Sequence, residues 1–321
     1  MDGSLAAVAV AHDEAKRRSH ALTGTTCLIV NPAAGRGRIR SALPSLLAAF
    51  GARRITATYE TSAPGEEEEL AERAIGAGAQ TIVAVGGDGT CGRIANAILR
   101  SRAPCRLAVV PAGTGNDFAK TLGLNGYSPG QIADLVVRGV ATRMDVGIAD
   151  GYYFLNSCGF GFDASVLEAS NHVRFLKGDV VYIYAALRQL FSYRGIQVAV
   201  TGASGVKRGP MLMVTVSNGR FLGGAFRIAP HASVLDGKLD ACFFGDSNVV
   251  ERVKLFVGAM RGTHLGMRSV SAASVQELAL TFASPPSMEV DGELRRARSK
   301  TVELKCVPRA LSVVAAPRAI V

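Results

Sequence analysis

The sequence predicts an α/β domain on a parallel sheet, then a second, β-rich domain, with the ligand site in the cleft between them. Three observations carry this expectation. Short apolar segments alternate with helical patterns through the first half of the chain, the signature of a parallel sheet covered on both faces. Beyond Arg143 the pattern changes to closely spaced strand-like segments. Three polar, glycine-bearing loops each follow an apolar segment of the first half. That position puts them at the carboxyl ends of the strands, where α/β sheets bind ligands.

The opening MDGSLAAVAVAHDEAKRRSH has acids on both sides of a short Ala/Val run and its basic cluster after it. This order is wrong for a secretory leader, so residues 1–25 read as an extension and the protein is placed in the cytoplasm. The α/β domain is expected over 26–145. TCLIV (26–30) leads into NPAAGRGR and a helix near 39–50, and RITATYE (54–60) precedes a helix opened by the acids 66–69. Acids suit a helix amino terminus, and this run reads as a solvated helix start. TIVAV (81–85) enters GGDGT and a helix, and RLAVV (106–110) enters PAGTGNDF and another helical stretch.

The β-rich domain is expected over 146–307, from YYFLN (152–156), IQVAV (196–200), MLMVTVS (211–217), KLDACFF (238–244), ELALTFA (277–283) and TVELK (301–305). Helical patterns near 179–193 and 248–261 interrupt it. A last strand, LSVVA (311–315) within 308–321, is free to pair with either domain.

At 321 residues and 48% hydrophobic, the chain can bury a sizeable core. Its longest apolar runs fall well short of the ~18 residues of a membrane span. Cys27, Cys91, Cys105, Cys158, Cys242 and Cys306 form no C-x-x-C pair and read as buried thiols rather than a zinc site. Tryptophan is absent and aromatics make up 6%, which argues against nucleic acid bound by base stacking. The net charge of +10 suits an anionic membrane or phosphorylated substrates without choosing between them.

Gly87, Gly89 and Gly92 satisfy G-x-G-x-x-G behind an apolar strand. The dinucleotide fingerprint also needs an acid about 20 residues on, at the tip of the next strand. That strand ends in Pro111-Ala112, and the next acid, Asp117, lies inside another glycine loop. No G-K-[ST] follows any of the loops. Asp88, at the tip of GGDGT, would repel phosphate unless a cation or proton lay between them.

What fits is the combination: NPAAG (31–35), GGDGT (86–90), PAGTGNDF (111–118), TRMDVG (142–147), NSCGFGFDA (156–164), GGAFRIAPHASVLDGKLD (223–240) and MEVDGE (288–293). In this order these segments resemble the diacylglycerol kinase catalytic domain family, which includes bacterial lipid kinases, sphingosine kinases and ceramide kinases. The resemblance runs from Thr26 to the end of the chain. It implies an α/β nucleotide-binding domain followed by a β-sandwich-like domain, with ATP in the cleft as co-substrate.

By that resemblance Asn31, Gly35, Thr61, Gly86, Gly87, Asp88, Gly89, Thr90, Gly113, Thr114 and Asn116 meet the nucleotide. Asp88, Asp117 and Asp145 form a metal- and water-linked network for Mg²⁺. Asp236 holds a second, structural Mg²⁺ with backbone carbonyls of Ser233 and Lys238. Asp291 or Glu293 is the catalytic base, with Asp88 completing the catalytic set. Arg36 and Arg38 are candidates for phosphate or anionic head groups.

One departure stands out: after GGDGT the family commonly continues with an Asn-Glu pair, where this chain has Gly92-Arg93. NAD kinases share GGDGT but lack P-x-G-T-x-N-D-F, so the sequence falls on the lipid-kinase side. The acceptor expected is diacylglycerol, with sphingoid bases, ceramide and other lipid alcohols as alternatives, and a non-catalytic lipid- or nucleotide-binding protein as the contrasting class. Residues 160–190 and 221–226 are candidates for the lipid lining. Transient contact with an anionic membrane is expected without an evident amphipathic anchor. A homodimer is the default assembly.

Overall fold

The computed structural model describes residues 25–139, 141–171, 189–191, 193–202 and 205–317. The extension expected over 1–25 and the helix expected near 179–193 lie almost wholly outside these residues. Strands β1 (Thr26–Val30), β2 (Ala57–Glu60), β3 (Thr81–Gly86) and β4 (Arg106–Pro111) form a parallel sheet in the order β2–β1–β3–β4. The Leu28–Val30, Ile82–Val85 and Leu107–Val110 runs are buried, as strands covered on both faces must be.

Helices α1 (Arg38–Gly51), α2 (Glu66–Gly76), α3 (Asp88–Ser101), α4 (Asp117–Thr121) and α5 (Pro129–Arg138) connect and cover these strands. The last begins with a Ser128–Gln131 capping box and Pro129, and ends on left-handed Gly139. β2 starts later than the sequence pattern suggests. Arg54 takes φ +61° and its N–H closes back on the Gly51 carbonyl, so residues 52–55 finish the turn after α1.

The rest of the chain is antiparallel strands, the texture expected beyond Arg143. They are β5 (Thr142–Ala149), β6 (Tyr152–Phe154), β7 (Ser157–Gly161), β8 (Ile196–Gly202), β9 (Gly205–Ser217), β10 (Leu239–Gly245), β11 (Val270–Val275), β12 (Glu277–Phe282), β13 (Ser287–Val290), β14 (Glu293–Arg296) and β15 (Thr301–Val313). Helix α6 (Phe162–Asn171) follows β7, and α7 (Val249–Arg261) follows β10.

TVELK and LSVVA belong to one strand, β15. Its register shifts between Val307 and Leu311, where Arg309 takes φ +51°. β15 pairs with β12 and β5, and at Ser312–Val313 it runs parallel to β4. The chain end therefore returns to the parallel sheet. One apolar core lies around that sheet, a second around Phe154, Phe160 and Val216, and a third between β9–β10 and the helices α6 and α7.

Candidate active site

Parallel register brings the ends of β1, β3 and β4 to one edge. A cavity of about 310 Å³ separates this edge from β7 and the β13–β14 hairpin, and Arg36, Asp88, Thr114, Asp117, Asn156 and Asp291 line it. Two glycines are required by contact. A Cβ on Gly113 would stand 2.5 Å from the Cα of Gly87, and one on Gly35, at φ +56°, 2.5 Å from the Ala112 carbonyl oxygen. The three loops thus pack backbone against backbone, which only residues without a Cβ permit.

Several predicted nucleotide residues turn out to hold the loops together. Asn31 Nδ2 donates to Glu67 Oε1 (3.0 Å) and to Thr90 Oγ1 (3.2 Å), and Thr90 Oγ1 donates to the same Glu67 oxygen (3.1 Å). Asn116, at φ +52°, bonds both the N–H and the C=O of Gly113 with its amide. Gly86 lies flat against the Thr90 side chain, Gly89 faces Glu293, and Thr61 follows β2 with its N–H on the Val30 carbonyl.

Glu67 corrects the sequence reading of 66–69 as a solvated start, because its side chain is fully buried. Arg93 supplies the counter-charge: its Nη1 donates to Glu67 Oε2 at 3.0 Å while Nη2 reaches Glu293 Oε1 at 2.5 Å. The arginine in place of an acid was the available signal, since a cation on the inner face of α3 needs a counter-carboxylate. Glu68, one residue on, pairs with Arg100.

The structure divides the three aspartates. Asp88 Oδ1 accepts the Phe118 N–H at 2.8 Å and faces Asn156 Nδ2 at 3.5 Å. Burial, and then the charge of Asp117, push the Asp88 carboxyl above its ordinary range. Asp117 accepts Lys120 Nζ at 2.8 Å and the Gly224 N–H at 2.9 Å, tying α4 to the β-rich side.

Asp145 is engaged elsewhere: its oxygens accept the Gly237 and Arg309 N–H groups, each at 2.7 Å. It therefore fixes the turn of Ser233, Asp236 and Lys238 against the β15 bulge. Within that turn Asp236 is exposed and accepts the Lys238 N–H at 3.0 Å, and Ser233 Oγ accepts the Leu235 N–H at 3.3 Å. Among the described residues no three His, Cys, Asp or Glu side chains converge as a metal cage. The oxygen sets at Asp88–Asp117 and at Asp236 suit Mg²⁺, which takes one or two carboxylates and completes its shell with waters, carbonyls or phosphates.

The two acids of the hairpin separate clearly. Asp291 and Gly292, at φ +48° and +85°, make the two-residue turn between β13 and β14. Asp291 is buried and accepts three N–H groups, from Leu155 (2.6 Å), Asn156 (2.8 Å) and Ser157 (3.1 Å). Burial, aided by the Asp88 charge, outweighs those bonds and raises its carboxyl to about 7. Glu293 lies across the hairpin between Arg93 and Arg295 (2.7 Å). Its two carboxylate oxygens are thus each taken by an arginine.

Sequence reasoning missed two acids behind Asp291. Glu289 is buried and accepts the Gly292 N–H, so it fixes the turn, and burial followed by the Asp163 charge raises its carboxyl well above the usual range. Asp163, raised by burial to about 7, places Oδ2 where a Cβ on Gly159 would be 1.5 Å away. Glu289 pairs with that same Gly159. Neither residue type nor spacing marked these two acids, because their burial is set by the strands and helix packed around them.

Comparison with known proteins places the family and the fold. Residues 25–149 match the diacylglycerol kinase catalytic domain, and residues 156–315 match the YegS C-terminal NAD kinase beta sandwich-like domain. The diacylglycerol kinase of Bacillus subtilis is 27% identical over 268 residues, covering 83% of this chain and 88% of that protein. A diacylglycerol kinase of Staphylococcus epidermidis is 26% identical over 268 residues, covering 83% and 84%. The crystal structure of a diacylglycerol kinase from Bacillus anthracis superposes with a TM-score of 0.71 at 20% identity, covering 93% of this chain and 99% of that one. With both domain models matched in order over the fold and cleft described above, the chain belongs to the diacylglycerol kinase family and is a lipid kinase.

Proposed function

We propose that the protein transfers the γ-phosphoryl group of Mg-ATP to the hydroxyl of a lipid alcohol, diacylglycerol first, giving phosphatidic acid. The observation that carries this reading is Asp291, a buried carboxyl raised to about 7 that lines the same cavity as Asp88 and Thr114. A carboxyl raised toward neutrality, lining a cavity of about 310 Å³ with the glycine-loop residues, is suited to phosphorylation of an alcohol.

In this reading the loops of Gly35, Gly86, Gly87 and Gly89 present backbone N–H groups to the phosphates, and Gly113, its own N–H held by Asn116, lets the loops approach closely. Asn31, Thr90 and Asn116 hold those loops in shape, and Thr61 and Thr114 flank them. Asp88 and Asp117 would hold Mg²⁺, which when bound neutralises the β- and γ-oxygens. Asp236, with carbonyls of Ser233 and Lys238, would hold a second, structural ion that Asp145 braces from behind.

Asp291 accepts a hydrogen bond from the acceptor hydroxyl and takes its proton as the new O–P bond forms and ADP leaves. Its three N–H partners fix the carboxylate, and Glu293, clamped by two arginines, serves the hairpin rather than the proton. An apolar cavity lined by Phe162, Val166, Leu222, Phe226 and Leu255 suits the acyl chains, and Leu222 also lines the cleft. No described helix is long and apolar enough to cross a membrane, and the reading places the protein peripherally at an inner membrane face.

Labelled Mg-ATP offered with diacylglycerol, sphingosine, ceramide and NAD tests this. Labelled phosphatidic acid is the expected product. Transfer to NAD alone would sink the lipid reading, and ATP binding with no transfer would leave a binding protein.

A further inference from the structure

The outer face of α7 differs from the rest of the surface. Five of its residues, Val249, Val250, Val253, Val257 and Met260, are exposed, and Val250 is 66% exposed. At about 100° per residue they fall within an arc of roughly 100°. Lys254 and Arg261, both exposed, continue that arc along one flank. The opposite face of the helix is core: Arg252, Leu255, Gly258 and Ala259 are buried.

Arg252 donates to the carbonyls of Leu190 (3.0 Å) and Tyr193 (2.9 Å), and so holds beside α7 a segment carrying Phe191, also 66% exposed. Glu251, the acid of the helix, turns away to Ser269 Oγ at 3.2 Å. Directly beneath, Leu255, Phe256 and Ala259 form one wall of the apolar cavity that also contains Leu190 and Leu222.

We propose that this face of α7 is the membrane-docking surface and that its partner is an anionic phospholipid bilayer. An apolar stripe with cations along its edge is the composition of a helix lying in the lipid interface. The flanking Lys254 and Arg261, on a chain of net charge +10, complement acidic head groups. The helix that would rest on the bilayer is also the wall of the apolar cavity, so a lipid leaving the bilayer meets that cavity first. No anchor was evident in the sequence because valines at 249, 250, 253 and 257 read equally as core. This surface rests on the lipid-kinase reading only for its purpose, and it is tested without turnover.

The test is co-sedimentation of the full chain with vesicles of phosphatidylglycerol and phosphatidylcholine. Wild type is compared with Val250→Gln/Val253→Gln/Val257→Gln and with Lys254→Gln/Arg261→Gln. Glutamine keeps the helix, and an unchanged thermal midpoint confirms it. The expected result is at least about tenfold weaker vesicle binding by the valine variant. The cation variant loses its preference for phosphatidylglycerol.

Wild-type chain that ignores the vesicles, or a valine variant that sediments like wild type, overturns the proposal. So does a valine variant whose change is from dimer to monomer in analytical ultracentrifugation, since a second copy is then the occupant. If vesicle binding responds as expected while wild type phosphorylates no lipid, the docking surface stands and the kinase reading falls.

Discussion

On one wall of the cleft, the loops after β1, β3 and β4 are each a short run of neighbouring residues, shaped by glycines and tied by Asn31, Thr90 and Asn116. On the other wall, Asp291 is held by N–H groups 134 to 136 positions earlier in the chain, with Glu289 and Asp163 buried behind it. In the proposed reading the first wall would offer backbone dipoles, Asp88 and the buried Asp117 to phosphate and cation. The second takes a carboxyl out of water until its proton affinity suits an alcohol. A kinase needs both, and the second is the more exacting because burial of a charge must stop short of neutralising it for good.

The largest expected effect breaks the second wall. Asp291→Asn removes the proton acceptor and keeps the shape, so turnover falls by about 10²–10⁴-fold while circular dichroism and ATP binding persist. Breaking the first wall through Asp88→Asn lowers turnover more than stability, and raises the Mg²⁺ concentration needed for half-maximal rate. Unchanged turnover would remove Asp88 from the mechanism.

The pH profile sharpens the contrast. On the proposed mechanism Asp291 acts deprotonated, and burial raises its carboxyl to about 7. Turnover should therefore rise through a midpoint near neutrality and fall on acidification, in steady-state rates measured from pH 5 to 9. A rate flat across neutrality would mean that this group does not titrate in catalysis.

Arg93 joins the two walls, through Glu67 on one side and Glu293 on the other. Arg93→Ala leaves Glu67 buried without its cation, and should cost about 2–4 kcal/mol of stability, read by urea unfolding. Adding Glu67→Gln should recover much of that loss, and strict additivity of the two would show that the pair is not coupled.

The smallest effect concerns Asp163, whose carboxyl is raised to about 7 in the folded protein. A raised acid contributes stability that is fully present below its unfolded value and is lost as pH rises through the folded one. Asp163→Asn should therefore be more stable than wild type at pH 8, by about 1–3 kcal/mol, with the gap closing toward pH 4. Urea midpoints at the two pH values check this.

These walls also differ in how far the sequence revealed them. The alternation of strands and helices, the change of texture beyond Arg143 and the glycine loops are local patterns, and the fold follows them closely. The glycines of GGDGT and PAGTG were recognisable because close backbone approach demands them. Asp291 was named only together with Glu293, since their separation depends on which side of a hairpin meets Arg93. Asp145 was grouped with Asp88 and Asp117, yet its partners Gly237 and Arg309 lie 92 and 164 residues away. Glu67 was hidden in a run of four acids because burial is set by α3, not by its neighbours. What was illegible in each case was a tertiary partner, not a residue type.

In the proposed reading the hairpin divides its acids, Asp291 for the proton and Glu293 for the arginines, and initial rates test that division. Initial rates of phosphatidic acid formation from labelled Mg-ATP and diacylglycerol should be compared for wild type, Asp291→Asn and Glu293→Gln. Wild type should form phosphatidic acid. Asp291→Asn should lose at least about a hundredfold, and Glu293→Gln should stay within about tenfold. The reverse order, an active Asp291→Asn beside an inactive Glu293→Gln, would contradict the account and assign the proton to Glu293.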